Sequence, residues 1–133
     1  MYQSDLLKDR TKEFSKRIVR LFRSLPRTEE AMVIGRQVLR SATSVAANYR
    51  AVCRSRSKAE FIAKIGVVVE EADETVFWLD LLVDRAIVDK ERMKDLSREA
   101  NELLAIFAAS QRTAKLRMKN KPLNHDRANC FSL

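Results

Sequence analysis

Apolar residues recur at three- and four-residue steps along four segments of the chain, which is the period of an amphipathic α-helix. The first segment runs from about residue 4 to residue 24. It ends before the Leu25-Pro26 step, because a residue that precedes proline avoids the α region. Its apolar stripe consists of Leu7, Phe14, Ile18, Leu21 and Leu25. The spacing therefore predicts a helix that buries one face.

The second segment, about residues 29–54, begins with a helix-start signal. Thr28 is a suitable N-cap, and the acidic Glu29 in the first turn complements the helix dipole. Gly35 lies inside the helix at a cost of about 1 kcal/mol relative to alanine, so a close approach of a neighbouring helix is expected there. The stripe consists of Ala31, Ile34, Val38, Ala42, Val45, Tyr49 and Val52.

The third segment, about residues 58–85, opens with a capping box in which Ser57 is followed three residues later by Glu60. From Phe61 to Val83, fifteen of twenty-three residues are hydrophobic. A helix that is apolar on several faces is buried on several sides, so the pattern predicts a subunit interface that includes this helix. Its main stripe is predicted as Phe61, Ile65, Val68, Ala72, Val76, Leu79 and Val83.

The fourth segment runs from about residue 90 to residue 119, with Asp89 as its N-cap. Its stripe consists of Met93, Leu96, Ala100, Leu103, Phe107, Ala114 and Met118. Residues 120–133 are polar and are predicted to form a mobile tail. Short connections favour antiparallel neighbours. The predicted fold is all-α: an antiparallel up-down-up-down four-helix bundle over residues 1–119 that assembles as a homo-oligomer.

Composition narrows the function classes. The 133 residues suit a single domain, and two Gly and two Pro are too few for an all-β fold or for Gly-rich phosphate loops. One His and two Cys leave little for a metal site or a nucleophile–base pair. The chain is therefore predicted to be non-catalytic, with no cofactor and no bound metal.

Cysteine spacing and hydropathy favour the cytoplasm as the compartment. Cys53 and Cys130 have no CxxC spacing, so free thiols are favoured over a disulfide between them. No run approaches the roughly 18 apolar residues of a membrane span, and no secretory signal is visible, so no membrane partner is expected.

The net charge of +8 is unevenly distributed along the chain. Residues 1–27 carry +5 and residues 28–58 carry +4, whereas residues 59–90 carry −5 and residues 91–133 carry +4. Two basic stripes are predicted on solvent-facing helix surfaces. The first is Lys16, Arg20, Arg23 and Arg27, and the second is Arg112, Lys115 and Lys119.

Two interpretations of these stripes remain open. Lys and Arg side chains commonly do no more than solvate an exposed helix face. Alternatively, they contact nucleic-acid phosphates, a mode that is largely independent of sequence and sensitive to salt. No aromatic residues interleave the first stripe as a base-stacking platform requires, so base reading is not supported. The two stripes are expected to merge only partly.

A polar line is predicted between the second and third helices. Arg40, Ser44 and Asn48 share one helix face, and Glu71, Glu74 and Trp78 share another. Antiparallel pairing about residue 56 sets Arg40 near the two glutamates. A structural helix-pairing network is favoured over a carboxylate metal site, because the bundle di-iron pattern needs Glu-x-x-His and the only histidine is His125.

These residues resemble the bacterial four helix bundle protein family, also called the 23S rRNA intervening-sequence protein or S23 family. Its first motif, IG-x-Q-x-x-R-S-x-x-S-x-x-AN, matches the run from Ile34 to Asn48. The motif S-x-x-x-F-x-x-K matches from Ser57 to Lys64, and E-x-x-E-x-x-x-WL matches from Glu71 to Leu79. The resemblance covers about residues 6–118. A departure is Ala51, where the family often has Glu.

The resemblance implies a subunit that assembles as a ring-like homopentamer. It also implies a fold similar to that of the accessory variability protein of diversity-generating retroelements. That relative is a basic pentamer that binds nucleic acid and a reverse transcriptase. The leading hypothesis is a non-catalytic oligomeric protein that binds the phosphate backbone of RNA or DNA through its basic outer face. The alternative is a protein–protein adaptor or scaffold that does not bind nucleic acid.

Overall fold

The computed structural model describes residues 2–120, with side chains from Ser4 onward, and this part of the chain is all-helical. Helix α1 spans Tyr2–Ser24, α2 spans Glu29–Val52, α3 spans Lys58–Asp84 and α4 spans Lys90–Asn120. These bounds differ from the sequence-based ones by at most two residues at each end. The predicted tail, apart from Asn120, lies outside the described residues.

Side-chain caps define where the helices begin. Thr28 Oγ1 accepts a hydrogen bond from the Ala31 amide at 3.3 Å, and Ser57 Oγ accepts one from the Glu60 amide at 3.0 Å. The Glu60 carboxylate does not return this bond to Ser57. It accepts the Arg56 amide instead, at 2.6 Å, and that N–H holds the pKa of Glu60 below its usual range. The predicted capping box is therefore shifted by one residue.

Buried residues recur at alternating three- and four-residue steps along α1, α2 and α3, and along α4 as far as Phe107. This mean period of 3.5 is that of knobs-into-holes packing between helices that cross at a small angle. The buried positions on these lines are residues 7, 11, 14, 18 and 21 in α1; 31, 35, 38, 42, 45, 49 and 52 in α2; 58, 61, 65, 68, 72, 75, 79 and 82 in α3; and 93, 96, 100, 103, 107 and 114 in α4. Ser41 is also buried, beside the line of α2.

The buried positions differ from the predicted apolar stripes at several places. In α3 the core takes Thr75 and Leu82, while Val76 and Val83 are half-buried. Met118 in α4 is 40 % exposed rather than buried. The buried Thr75 hydroxyl lies 2.9 Å from Ser41 Oγ of α2 and 2.8 Å from the Glu71 carbonyl oxygen, so its polar group is paired inside the core.

Cross-helix contacts show neighbours that run antiparallel. Arg10 in the first half of α1 contacts Glu99 in α4, whereas Ser24 at the end of α1 contacts Arg92 at the start of α4. Consecutive helices share the extensive seams, and α1 and α4 share a smaller one. Helices α1 and α3 each pack on both α2 and α4. Helix α1 therefore lies diagonally opposite α3 across the bundle.

Both glycines lie inside helices, but their surroundings differ. A Cβ on Gly35 would fall 2.6 Å from Leu25 Cδ1 and 3.1 Å from Phe22 Cδ1, so α1 and α2 approach closely here, as expected. A Cβ on Gly66 would meet only the end of the Gln111 side chain, at 3.0 Å from Nε2. Core side chains therefore leave no room for a Cβ at Gly35, whereas the side chain next to Gly66 can move.

We expect Gly35→Ala to lower the free energy of unfolding by about 1 kcal/mol, because overpacking outweighs the gain in helix propensity. Gly66→Ala is the matched control and is expected to raise it by several tenths of a kcal/mol, since Gln111 is free to move aside. Urea unfolding followed by circular dichroism measures both. Equal changes in the two variants would contradict the close α1–α2 approach.

Candidate nucleic-acid interface

The four cations of the first stripe, Lys16, Arg20, Arg23 and Arg27, are all exposed on α1 and its C-terminal connection. We call them the α1 basic patch. The heptad explains the direction of Lys16, Arg20 and Arg23, because each lies off the buried line of α1, and Arg27 is exposed in the connection that follows. Lys16 Nζ is 3.7 Å from Glu13, an exposed pair of the kind that contributes little to stability. Arg20 and Arg23 have no acidic group within ion-pair distance among residues 4–120.

Helix α4 adds a cation that the sequence did not indicate. Arg92 donates to Ser24 Oγ at 2.7 Å, which places its guanidinium beside the end of α1. Arg17, Arg20 and Arg92 line a shallow groove of about 270 Å³ between the two helices, with Asp95 as the acidic group on its wall. The cationic surface therefore extends from α1 across the seam onto α4.

The second stripe forms a separate surface. Arg112, Lys115 and Lys119, here the α4 basic patch, are all exposed. On α4, Arg92 lies beside the end of α1 and so beside the α1 basic patch. Arg112 is twenty residues further along α4, which is about 30 Å at 1.5 Å per residue. The two patches lie towards opposite ends of the bundle and do not merge, contrary to the expected partial overlap.

A charged cluster holds α1 against α4 near the middle of their seam. Arg10 binds Glu99 through two parallel hydrogen bonds of 2.7 and 2.9 Å and Glu102 through a third of 2.7 Å. This pairing raises the pKa of Arg10 and lowers that of Glu99, both mainly through their mutual side-chain hydrogen bonds. Bidentate geometry fixes orientation as well as distance, so the cluster sets the register of α1 and its cations on α4.

Arg40 joins α2 to α3 at a second polar cluster. Its guanidinium donates to Glu71 at 3.2 Å and to Glu74, and the Trp78 indole N–H donates to Glu74 at 3.1 Å. The Trp78 and Arg40 hydrogen bonds hold the pKa of Glu74 below its usual range. We call these four residues the Arg40 network.

Ser44 and Asn48 lie apart from the Arg40 network. The Asn48 side-chain amide donates to the Ser44 carbonyl oxygen at 2.9 Å, a bond within α2. The predicted polar line therefore divides into an interhelical cluster around Arg40 and a local bond further along α2.

Helix α3 exposes apolar side chains on the side of the bundle away from α1. Phe77 is 56 % exposed and Val67 is 41 % exposed. The Phe77 ring meets Trp78 edge-on, with ring centroids 4.9 Å apart. Acidic residues surround these side chains, since Glu70, Asp73 and Asp80 are exposed on the same helix.

The described residues hold no group of three or more His, Cys, Asp or Glu side chains placed to bind a metal ion. Within residues 2–120, none of the helices combines the length and apolarity that a bilayer crossing requires.

Residues 6–109 match the family model described as 23S rRNA-intervening sequence protein. The chain belongs to this family. A solved structure of a protein with unknown function from the S23 ribosomal protein family of Bacteroides thetaiotaomicron has the same fold, with a TM-score of 0.75 and 31 % sequence identity. The alignment covers 82 % of this chain and 97 % of that one. None of the curated proteins matches the chain.

Trp78 is the only tryptophan and reports on the Arg40 network. We expect an acid titration of its fluorescence to show a midpoint below the usual glutamate range, because the folded-state pKa of Glu74 is depressed. Ionised Glu74 stabilises the folded protein at any pH above the pKa that this carboxyl has in the unfolded chain. This stabilisation is lost as the pH falls through the lower pKa that Glu74 has in the folded protein. In Arg40→Gln the midpoint should rise.

Circular dichroism recorded across the same pH range separates this local step from acid unfolding. The control is Arg98→Gln, since among the described residues Arg98 is paired with Asp95 alone, on the exposed face of α4, and should leave the midpoint unchanged. A midpoint that does not move in Arg40→Gln would exclude the network as its cause.

Proposed function

We propose that this 23S rRNA-intervening sequence family member is a non-catalytic protein that binds the phosphate backbone of RNA or DNA through the α1 basic patch. One observation carries the proposal: a row of exposed cations along one side of α1, continued by Arg92 of α4, in which Arg20 and Arg23 have no acidic partner among residues 4–120. Unpaired cations in a row attract a polyanion and release its counterions when it binds.

The chemistry of the patch favours contacts to phosphates over contacts to bases. Three of its four cations are arginines, whose planar guanidinium can hold a phosphate through two hydrogen bonds. The helical part of the patch, from Lys16 to Arg23, extends about 10 Å along α1 at 1.5 Å per residue, and Arg27 follows in the connection. Between Lys16 and Arg27, no exposed aromatic side chain lies among the cations to stack on a base. The proposed binding is therefore independent of sequence.

Self-association through α3 is the second part of the proposal, and the expected assembly is the homopentamer that the family resemblance implies. Exposed Phe77 and Val67 on α3 support an interface here, because large exposed apolar side chains on one helix are typical of contact surfaces. Assembly repeats the α1 basic patch in every subunit, so weak phosphate contacts add through avidity.

The same α3 surface supports a second candidate function, that of an adaptor for another protein. In this case Phe77 and the acidic residues around it receive a different chain, and the basic patches serve solubility. Recovery of one protein partner after nuclease treatment, together with no affinity for nucleic acid, would favour the adaptor over the nucleic-acid-binding protein.

The first test is binding of a labelled RNA or DNA duplex measured against salt. We expect affinity to fall steeply as salt rises. The double variant Arg20→Gln/Arg23→Gln should reduce the slope of log affinity against log salt by about 2, roughly one for each phosphate that is no longer neutralised. Fluorescence anisotropy at several salt concentrations gives both quantities.

The control variant is Lys94→Gln/Arg98→Gln, which removes the same charge from exposed positions on the side of α4 that faces α3. Its slope should stay close to that of the unchanged protein. No binding at low salt, or equal reductions of the slope in the two double variants, would refute the α1 basic patch as the binding surface.

The second test concerns assembly. We expect light scattering at micromolar concentration to give a mass of several subunits, and Phe77→Asp to shift it toward the monomer, because the substitution places a charge in an apolar contact. Thr113→Asp is the control, since Thr113 is a polar residue exposed on α4 and lies outside the proposed apolar contact. A stable monomer of the unchanged protein would contradict self-association.

A further inference from the structure

The α2–α3 end of the bundle contains two buried polar groups that no atom of the described residues satisfies. Lys58 is 6 % exposed and Ser55 is 2 % exposed. The Lys58 ammonium nitrogen and the Ser55 hydroxyl oxygen are both buried and have no hydrogen-bond partner within this part of the chain. An unpaired buried charge is among the most unfavourable features that a fold can hold, so a partner of matching chemistry is expected.

The heptad explains why this lysine is buried. Counting back from Phe61 by three residues places Lys58 on the core line of α3, at the position that Ile65, Ala72 and Leu79 occupy in the following layers. Its stem thus belongs to the last layer of the core. A lysine stem can stay packed while its ammonium turns toward the end of the bundle.

Charge around this end of the bundle favours an anion. Arg54 and Arg56 are exposed in the connection before α3. Glu60 is the acidic residue nearest in sequence, but its carboxylate is engaged by the Arg56 amide and lies 3.8 Å from Lys64. The N-terminus of α3 adds the positive end of a helix dipole. Within residues 53–60, no carboxylate is paired with Lys58.

We propose that Lys58 and Ser55 form a binding site for a small oxyanion of the phosphate type. The ammonium donates to the phosphate oxygens, and the Ser55 hydroxyl supplies a further hydrogen bond. This site is independent of the α1 basic patch, because it lies at the opposite end of the bundle and uses none of its residues. Free inorganic phosphate and the terminal phosphate of a nucleic acid share the required chemistry.

The test is thermal unfolding of the full chain with inorganic phosphate, at ionic strength matched with chloride. At ten times the dissociation constant we expect phosphate to raise the melting temperature by about 3–6 °C. Lys58→Met should abolish this rise. It should also melt above the unchanged protein without phosphate, because the unpaired buried charge is gone. Ser55→Ala should reduce the rise while keeping the lysine.

The matched control is Lys12→Met, which makes the same substitution at an exposed position on α1 and should keep the full response to phosphate. The same rise in all four proteins reflects general salt stabilisation and overturns the proposal. No rise in the unchanged protein also overturns it, and Lys58 is then a buried lysine solvated by water. If Lys58→Met does not fold, Ser55→Ala decides between these outcomes.

A second arm distinguishes the source of the phosphate. One oligonucleotide is compared with and without a 5′-phosphate, in the unchanged protein and in Lys58→Met. Tighter binding of the phosphorylated form that is abolished in Lys58→Met assigns the site to a nucleic-acid end. Equal binding of the two forms, together with the thermal response, assigns it to free phosphate. If Arg20→Gln/Arg23→Gln does not change the salt dependence of nucleic-acid binding, the thermal result with phosphate is unaffected. The two proposals are therefore tested independently.

Discussion

Heptad packing between the four helices is the constraint from which the rest of the structure follows. Once residues at alternating three- and four-residue steps are buried, the direction of every other side chain is determined. The close approach at Gly35, the buried Thr75 hydroxyl and the buried stem of Lys58 all lie on these lines. The outward position of the α1 basic patch follows from the same register.

The order of the helices places the basic and the acidic segments of the sequence on opposite sides of the bundle. Since α1 and α3 lie diagonally, the basic residues of α1 and the acidic, partly apolar surface of α3 face opposite directions. A protein of this kind can present one side to a polyanion and the other to a protein surface. The Arg10 cluster and the Arg40 network fix the helices that carry these two sides, and neither cluster occupies the exposed cations of the α1 basic patch.

Periodicity was sufficient for the number and approximate ends of the helices, because apolar residues dominate all four core lines. It was insufficient where the core holds polar residues. The predicted α3 stripe contains Val76, whereas the core takes Thr75, whose hydroxyl is paired across the α2–α3 seam. Lys58 was missed because a core lysine contradicts the general rule for charged residues.

Tertiary contacts were harder to predict than the helices. The Arg10–Glu99 pair and the position of Arg92 depend on how α1 pairs with α4, helices that are far apart in sequence. In contrast, Arg40 and its glutamates are joined across one short connection, so counting from residue 56 was enough to place them together. The site residues were thus predictable on each helix but not across the α1–α4 seam.

Chemical footprinting of lysine and arginine side chains, with and without a bound RNA duplex, shows which surface of the bundle contacts a polyanion. Mass spectrometry measures the modification of each side chain, so one experiment compares both sides of the bundle. Protection of Lys16, Arg20 and Arg23, with Arg50 and Lys64 unchanged, is the predicted result. Protection elsewhere on the bundle, or none at all under conditions that saturate binding, would contradict the account.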